Sequence, residues 1–228
     1  MEESSPICTR LDEVYWFYLF EARRVCTSFG EEAVVLKTDL YNEAGAHPTY
    51  GGIVGNLPLV KKIFAIEIDP TIIANGASSL LQHTGFPLPT IGLYHGDIRS
   101  LPDEWTERFH VVLDLSTFDH IHPDTGLATL EGYARVLKSK GQIMLVVWCK
   151  ESPDLGPVEW KSENQYYYTV EMIKQMVETL KLEISKQLLV FTRMGGEAKL
   201  WYFLLQGPVK EKEDKADEGI SNQPSSPS

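Results

Sequence analysis

Five short apolar runs, rich in β-branched residues and separated by helix-like segments, constrain this chain more than any other feature. They read AVVLKTDL (33–40), IFAIEID (63–69), TIGLYHGD (90–97), FHVVLDL (109–115) and QIMLVVW (142–148). Continuous rather than alternating hydrophobicity is what a strand needs when both of its faces are covered. Strands alternating with helices imply a mainly parallel sheet joined by right-handed crossovers. The expected fold is therefore α/β: Rossmann-like, doubly wound, and closed by an antiparallel C-terminal hairpin. That hairpin is expected from ISKQLLVFT (184–192) and AKLWYFLLQ (198–206), which are joined through Met194-Gly195-Gly196.

The helices are placed by periodicity and by their start signals. Leu11, Val14, Tyr15, Tyr18, Leu19, Ala22 and Val25 recur at helical spacing, which predicts an amphipathic helix over Leu11–Cys26. Asp69 before Pro70 reads as an N-cap followed by proline at the first helical position, opening a helix through Leu81. A short helix is expected near Ile53–Lys61, and another from Asp124 or Thr125 to Lys138 with Leu127, Leu130, Ala134 and Leu137 inward. Thr169 opens a further helix with Val170, Ile173, Val177 and Leu180 facing the core. The chain thus divides into an N-terminal extension (1–30), one domain (31–208) and a polar tail (209–228). Apart from Val209 and Ile220 the tail has no large apolar group to bury, so it is expected to be disordered.

Composition narrows the class of function. A formal net charge of −11 lacks the basic stripe that phosphate neutralisation requires, so general nucleic-acid binding is not expected. No apolar run is long enough to span a bilayer, and the first residues, MEESSPICTR, do not read as a signal peptide. Three scattered cysteines form neither a disulfide framework nor a zinc site, so a reducing, cytoplasmic setting is expected.

Chemistry is expected at the carboxyl ends of the strands, where open parallel sheets bind ligands at the switch in strand order. The first strand ends in Asp39, with Asn42, Glu43 and Gly45 close behind. The second ends in Glu67 and Asp69, the third in Gly96-Asp97, and the fourth in Asp114 followed by Ser116. Asp69 is better read as a helix cap than as a ligand, and Asp97 could equally organise a turn. Glu67 is the most telling. A carboxylate after apolar residues at a strand end must be solvated or hydrogen-bonded, and a ribose diol would supply two donors.

Several of these stretches carry a family resemblance. FAIEIDPTII resembles the second-strand motif of class I S-adenosylmethionine-dependent methyltransferases, and YHGDIRSLP the third-strand motif. FHVVLDLSTFDHI resembles the fourth, and GYARVLKSKGQIMLVVW the helix-turn-strand that follows it. The resemblance spans about residues 31–206. It implies S-adenosyl-L-methionine as cofactor, with Glu67 on the ribose hydroxyls, Asp97 on the adenine amino group and Ile98 against the ring. The family's Gly-x-Gly-x-Gly turn after the first strand is replaced by VLKTDLYNEAGAHPTYGGIVG, so Asp39, Asn42 or Glu43 could hold the cofactor's ammonium group instead.

Methyl transfer needs an aligned nucleophile, and a general base only where the acceptor arrives protonated. Asp119 and His120, just after the fourth strand, are the catalytic candidates, with His122 nearby. No second donor cluster supports a metal. Tyr15, Trp16 and Tyr18 of the first helix are candidate walls of a substrate pocket. Trp160 and Tyr166–Tyr168 are expected on the loop after the fifth strand, where they could wall an apolar acceptor or equally serve ordinary packing. The expected activity is methyl transfer to a small molecule. The altered first turn also suits a methyltransferase-like binding subunit that lacks catalysis. A nucleotide-dependent oxidoreductase is disfavoured by the missing G-x-G-x-x-G.

Overall fold

The computed structural model describes residues 6–46, 52–57, 60–83, 90–150, 158–160, 163–193 and 198–207. The 209–228 tail, the Met194-Gly195-Gly196 turn and parts of the segment after the first strand therefore lie outside the described residues. In chain order the elements are α1 (Leu11–Thr27), β1 (Val34–Lys37), β2 (Lys62–Glu67), α2 (Pro70–His83), β3 (Thr90–His95), β4 (Phe109–Leu115), α3 (Pro123–Val136), β5 (Leu137–Cys149), β6 (Val158–Trp160), β7 (Glu163–Gln165), α4 (Val170–Thr179), β8 (Glu183–Thr192) and β9 (Lys199–Gln206). Strands order as β3-β2-β1-β4-β5-β9-β8, with β6 and β7 forming a separate antiparallel pair. The first five sheet strands pair in parallel, and β9 runs antiparallel between β5 and β8.

The apolar runs behave as two-faced strands. In β1, Val35 joins one core and Leu36 the other; in β5, Met144 and Val146 face one side while Ile143, Leu145 and Val147 face the other. This period of two carries each run through both hydrophobic layers. One layer is covered by α1 and by Leu80 of α2, the other by α3 and α4. The N-terminal helix is thus part of the main core. Val14, Tyr15, Tyr18, Leu19, Ala22, Val25 and Cys26 are all buried in it, and the preceding segment pairs with β8 through Ile7 and Cys8 amides to the Leu189 and Val190 carbonyls.

Three expectations are corrected. Of the short helix expected over Ile53–Lys61, the described residues form a 3-10 turn, Val54–Asn56. In α3, Leu130 and the following Leu137 are buried as expected and Ala134 packs against the same core, but Leu127 is 39% exposed, and Gly126, Thr129, Tyr133 and Val136 fill the rest of the buried face. The helix also starts earlier than expected. His122 caps the helix by accepting from the Asp124 amide, with Pro123 at the first position. Third, the segment after the fifth strand is not only a loop but carries the β6–β7 ribbon. Among the described residues no helix is long and apolar enough to cross a membrane.

Candidate functional site

The strand order reverses direction between β1 and β4, and the polar strand ends gather at that point. A short bridge spans the crevice. Thr117 Oγ1 donates to Asp39 Oδ2 at 2.7 Å and lies 3.2 Å from Thr38 Oγ1. Ser116, at φ 68°, turns the chain so that the amides of Thr117 and Phe118 both reach Asp114 Oδ1, at 3.0 and 2.9 Å. Tyr133 of α3 donates to Asp114 Oδ2 at 2.7 Å. Despite those three donors, burial pushes the Asp114 carboxyl up to about 6.

The end of β1 is charged where a glycine turn was the family pattern. Lys37 is fully buried and its Nζ donates to Asp39 Oδ1 at 3.0 Å and to the Asp39 carbonyl at 2.8 Å. Glu43 Oε2 lies 3.3 Å from the same ammonium, an ion-pair distance without hydrogen-bond geometry. Glu43 Oε1 accepts from the Ile53 and Val54 amides at 2.8 and 2.9 Å. Gly52 (φ 57°) passes so near that a Cβ there would lie 2.7 Å from Glu43 Oε1. Burial alone would raise Asp39 and lower Lys37, but their mutual attraction outweighs it: Asp39 falls below the usual carboxylate range and Lys37 rises. Burial and the Asp39 charge leave Glu43 raised. Glu43 therefore braces the 52–54 turn, and Asn42 and Gly45 lie in the π-helical turn Asn42–Ala46.

Glu67 closes the end of β2. Its Oε1 accepts from the Ile68 and Asp69 amides at 2.8 and 3.0 Å, and its Oε2 from the Leu40 amide at 3.1 Å. A carboxylate has about four acceptor positions. The three amides leave one, on Oε2. Asp69 caps α2 through the Thr71 amide at 2.7 Å. Asp97 caps a 3-10 turn through the Arg99 amide, and the Arg99 guanidinium beside it holds its carboxyl below the ordinary value. Ile98 is buried, whereas Ile68, directly after Glu67, is 60% exposed. Tyr41, after β1, is exposed as well. The sequence reading missed Ile68; an apolar residue set between two acids at a strand end was its signal.

The α1 aromatics divide. Tyr15 is in the core and donates to the Gly52 carbonyl at 3.2 Å, and the Tyr18 hydroxyl lies 3.5 Å from Ser116 Oγ, at the crevice. Trp16 points away from the core and meets Phe20, another exposed ring, at 6.4 Å between centroids. Beyond β4, Asp119 is fully buried and His120 is exposed. Asp119 Oδ2 accepts from the Gln165 side-chain amide, and the Asp119 carbonyl from the Tyr166 amide at 2.6 Å. The end of the β6–β7 ribbon is thereby pinned over this loop, a contact not foreseen. Burial holds the Asp119 carboxyl well above the carboxylate range, and Asp114 and Asp39 push it further up. Tyr168 donates to the Ile121 carbonyl and belongs to the core, so of the two roles open to it the structure gives packing. Tyr167 is buried as well; Tyr166 is half-buried and packs edge-on against the His122 ring at 4.9 Å. Among the described residues no group of three His, Cys, Asp or Glu is placed to hold a metal ion.

No protein-family model and no curated protein matches the chain. Solved structures do. The 4+2 cyclase SpnF superposes with a TM-score of 0.67 at 12% identity, over 91% of this chain and 86% of its own. The N-methyltransferase NodS from Bradyrhizobium japonicum WM9, in complex with S-adenosyl-L-homocysteine, gives 0.63 at 12% identity, covering 86% of this chain and 88% of that one. A S-adenosylmethionine-dependent methyltransferase from Leishmania major gives 0.63 at 13%, covering 86% and 74%. The chain thus has the Rossmann-like fold of the class I S-adenosylmethionine-dependent methyltransferases.

Proposed function

We propose that the protein binds S-adenosyl-L-methionine at the ends of β1–β4 and transfers its methyl group to an acceptor, most simply a small molecule. The observation that carries this reading is Glu67, whose carboxylate keeps one acceptor position beside an exposed apolar residue, Ile68, at the mouth of the switch-point crevice. These residues fit the adenosine half of the cofactor. Glu67 would take a ribose hydroxyl, Asp97 the adenine amino group, and Ile68 with Ile98 the faces of the ring. Bound there, the cofactor supplies an electrophilic methyl group. The chain's own residues would enclose and align the reactants, which is the larger part of catalysis for a displacement of this kind. Asp39 and Asp114, linked through the Ser116-Thr117 turn, lie at the strand ends beneath the crevice, Tyr18 reaches Ser116 from α1, and Asn42 and Gly45 follow β1 in the π-helical turn. The fit to the methionine half rests on the Lys37–Asp39–Glu43 cluster in place of a glycine cradle.

That cluster favours a second reading: a methyltransferase-like subunit that binds a ligand without turning it over. Fold alone does not choose between chemistries. Calorimetric titration with S-adenosylmethionine, S-adenosylhomocysteine and NAD tests the first reading. The expected result is heat of binding for the two sulfur nucleotides and none for NAD. Neither sulfur nucleotide binding at about millimolar concentration, roughly −4 kcal/mol, would reject it. Turnover of a labelled methyl group by a protein that binds the cofactor would reject the subunit reading.

A further inference from the structure

Behind the crevice lies an electrostatic imbalance that the cofactor reading leaves unused. Asp39, Asp114 and Asp119 are all buried, Asp39 raises the proton affinity of Asp114, and Asp39 and Asp114 both raise that of Asp119. Among the described residues one buried ammonium, Lys37, accompanies them, and it is committed to Asp39 and Glu43. Asp114 is satisfied by Tyr133 and two backbone amides. Asp119 is not. Its Oδ2 accepts from the neutral amide of Gln165, while its Oδ1 is enclosed and meets no donor from another residue with hydrogen-bond geometry. A buried carboxyl oxygen without a donor forfeits a hydrogen bond that water would have given it. Gln165 and Tyr166, which lie against it, are themselves only half-buried.

We propose that Asp119 Oδ1 is the docking point for the ammonium group of an amine, and that the methyl acceptor of this protein is that amine. The inference rests on the methyltransferase reading and names its substrate class. An ammonium would give Oδ1 its missing donor and set a positive charge against three carboxyl groups. A neutral hydroxyl would supply the hydrogen bond but not the charge. The same contact serves the chemistry. An ammonium has no free electron pair, so one N–H bond must break first: the proton passes to Asp119 Oδ1, and the pair stays on nitrogen as the nucleophile. A carboxylate whose proton affinity is raised by burial is a better base for that step than one in water.

The test uses the full chain, with and without S-adenosylhomocysteine. Butylamine and 2-phenylethylamine are titrated against butanol and 2-phenylethanol, following the Gln165 side-chain amide by NMR. The expected result is that the amines shift this signal, that the matched alcohols bind about tenfold or more weakly, and that Asp119→Asn removes the preference. Asparagine can present its oxygen to Gln165 and its NH2 at the Oδ1 position, where it repels a cation. A Gln165→Leu variant, which lacks the reporting amide and is therefore titrated by calorimetry, is expected to keep the preference for amines. Alcohols binding as well as amines would overturn the proposal, as would amine binding that survives in Asp119→Asn or no binding by any amine. Intact binding of S-adenosylhomocysteine in such a protein would leave the methyltransferase reading standing.

Discussion

Removing the Tyr133 hydroxyl tests whether the buried polar network beneath the crevice is as tightly coupled as its geometry says. Tyr133 Oη donates to Asp114 Oδ2 at 2.7 Å, and both residues are fully buried. Tyr133→Phe keeps the ring packed and deletes only the donor. With the Asp114 carboxyl at about 6 against an ordinary 3.8, the folded protein holds the proton more strongly than the unfolded chain between those values. Stability therefore falls as pH rises from about 4 to 6, where the folded state must give up a proton that the unfolded chain has already lost. At pH 5 Asp114 is about nine-tenths protonated and the deleted bond is neutral, worth about 1 kcal/mol; at pH 8 it serves a charge and is worth about 1.5–3 kcal/mol. Each kcal/mol corresponds to about 2–4 °C of Tm in a chain of this size. Urea denaturation of both proteins at pH 5 and pH 8 measures the difference. A loss that is the same at both pH values, or smaller at pH 8, would refute the coupling.

Other consequences follow from single contacts. Glu67→Ala is expected to weaken S-adenosylhomocysteine binding by about 1–3 kcal/mol in calorimetry; unchanged affinity would remove Glu67 from the site. Gly52→Ala forces a Cβ onto Glu43 Oε1 at a left-handed φ and is expected to lose about 1–2 kcal/mol or more in a thermal melt, whereas no loss would mean that the 52–54 turn is not braced by Glu43. Cys8, Cys26 and Cys149 are buried with proton affinities raised by that burial, Cys26 up to about 12. A disulfide reagent such as DTNB should find no fast-reacting thiol in the native protein and three in denaturant. Once an acceptor is in hand, His120→Ala should slow turnover and leave S-adenosylhomocysteine affinity unchanged; the reverse pattern would place His120 in the cofactor site.

The sheet was legible because its signal is local. A run such as VVLK or FHVVLDL carries its own burial pattern, and Asp69-Pro70 announces α2 within two residues. The same proline rule applied to His122-Pro123 places the start of α3 correctly. The site was legible as a set of positions but not as a set of bonds. Asp39, Glu67 and Asp114 could be located by their place at strand ends. Their partners could not: Lys37 lies inside an otherwise apolar strand, Tyr133 is 19 residues from Asp114, and Gln165 is 46 residues from Asp119. Such pairings are set by crossover geometry, and no periodicity records them. Glu43 shows the consequence. As a residue after a strand it reads as a ligand, while its two backbone contacts to residues 53 and 54 make it a brace for the next turn.

The position of the cofactor is the claim on which the rest depends, and two isoleucines report on it directly. In a methyl-labelled sample titrated with S-adenosylhomocysteine, the signals of Ile68 and Ile98, after β2 and β3, are expected to shift together and saturate. Ile173 and Ile184, in α4 and β8, should stay in place. Saturable binding with Ile68 and Ile98 unmoved, or no binding at all, would contradict the assignment of the crevice.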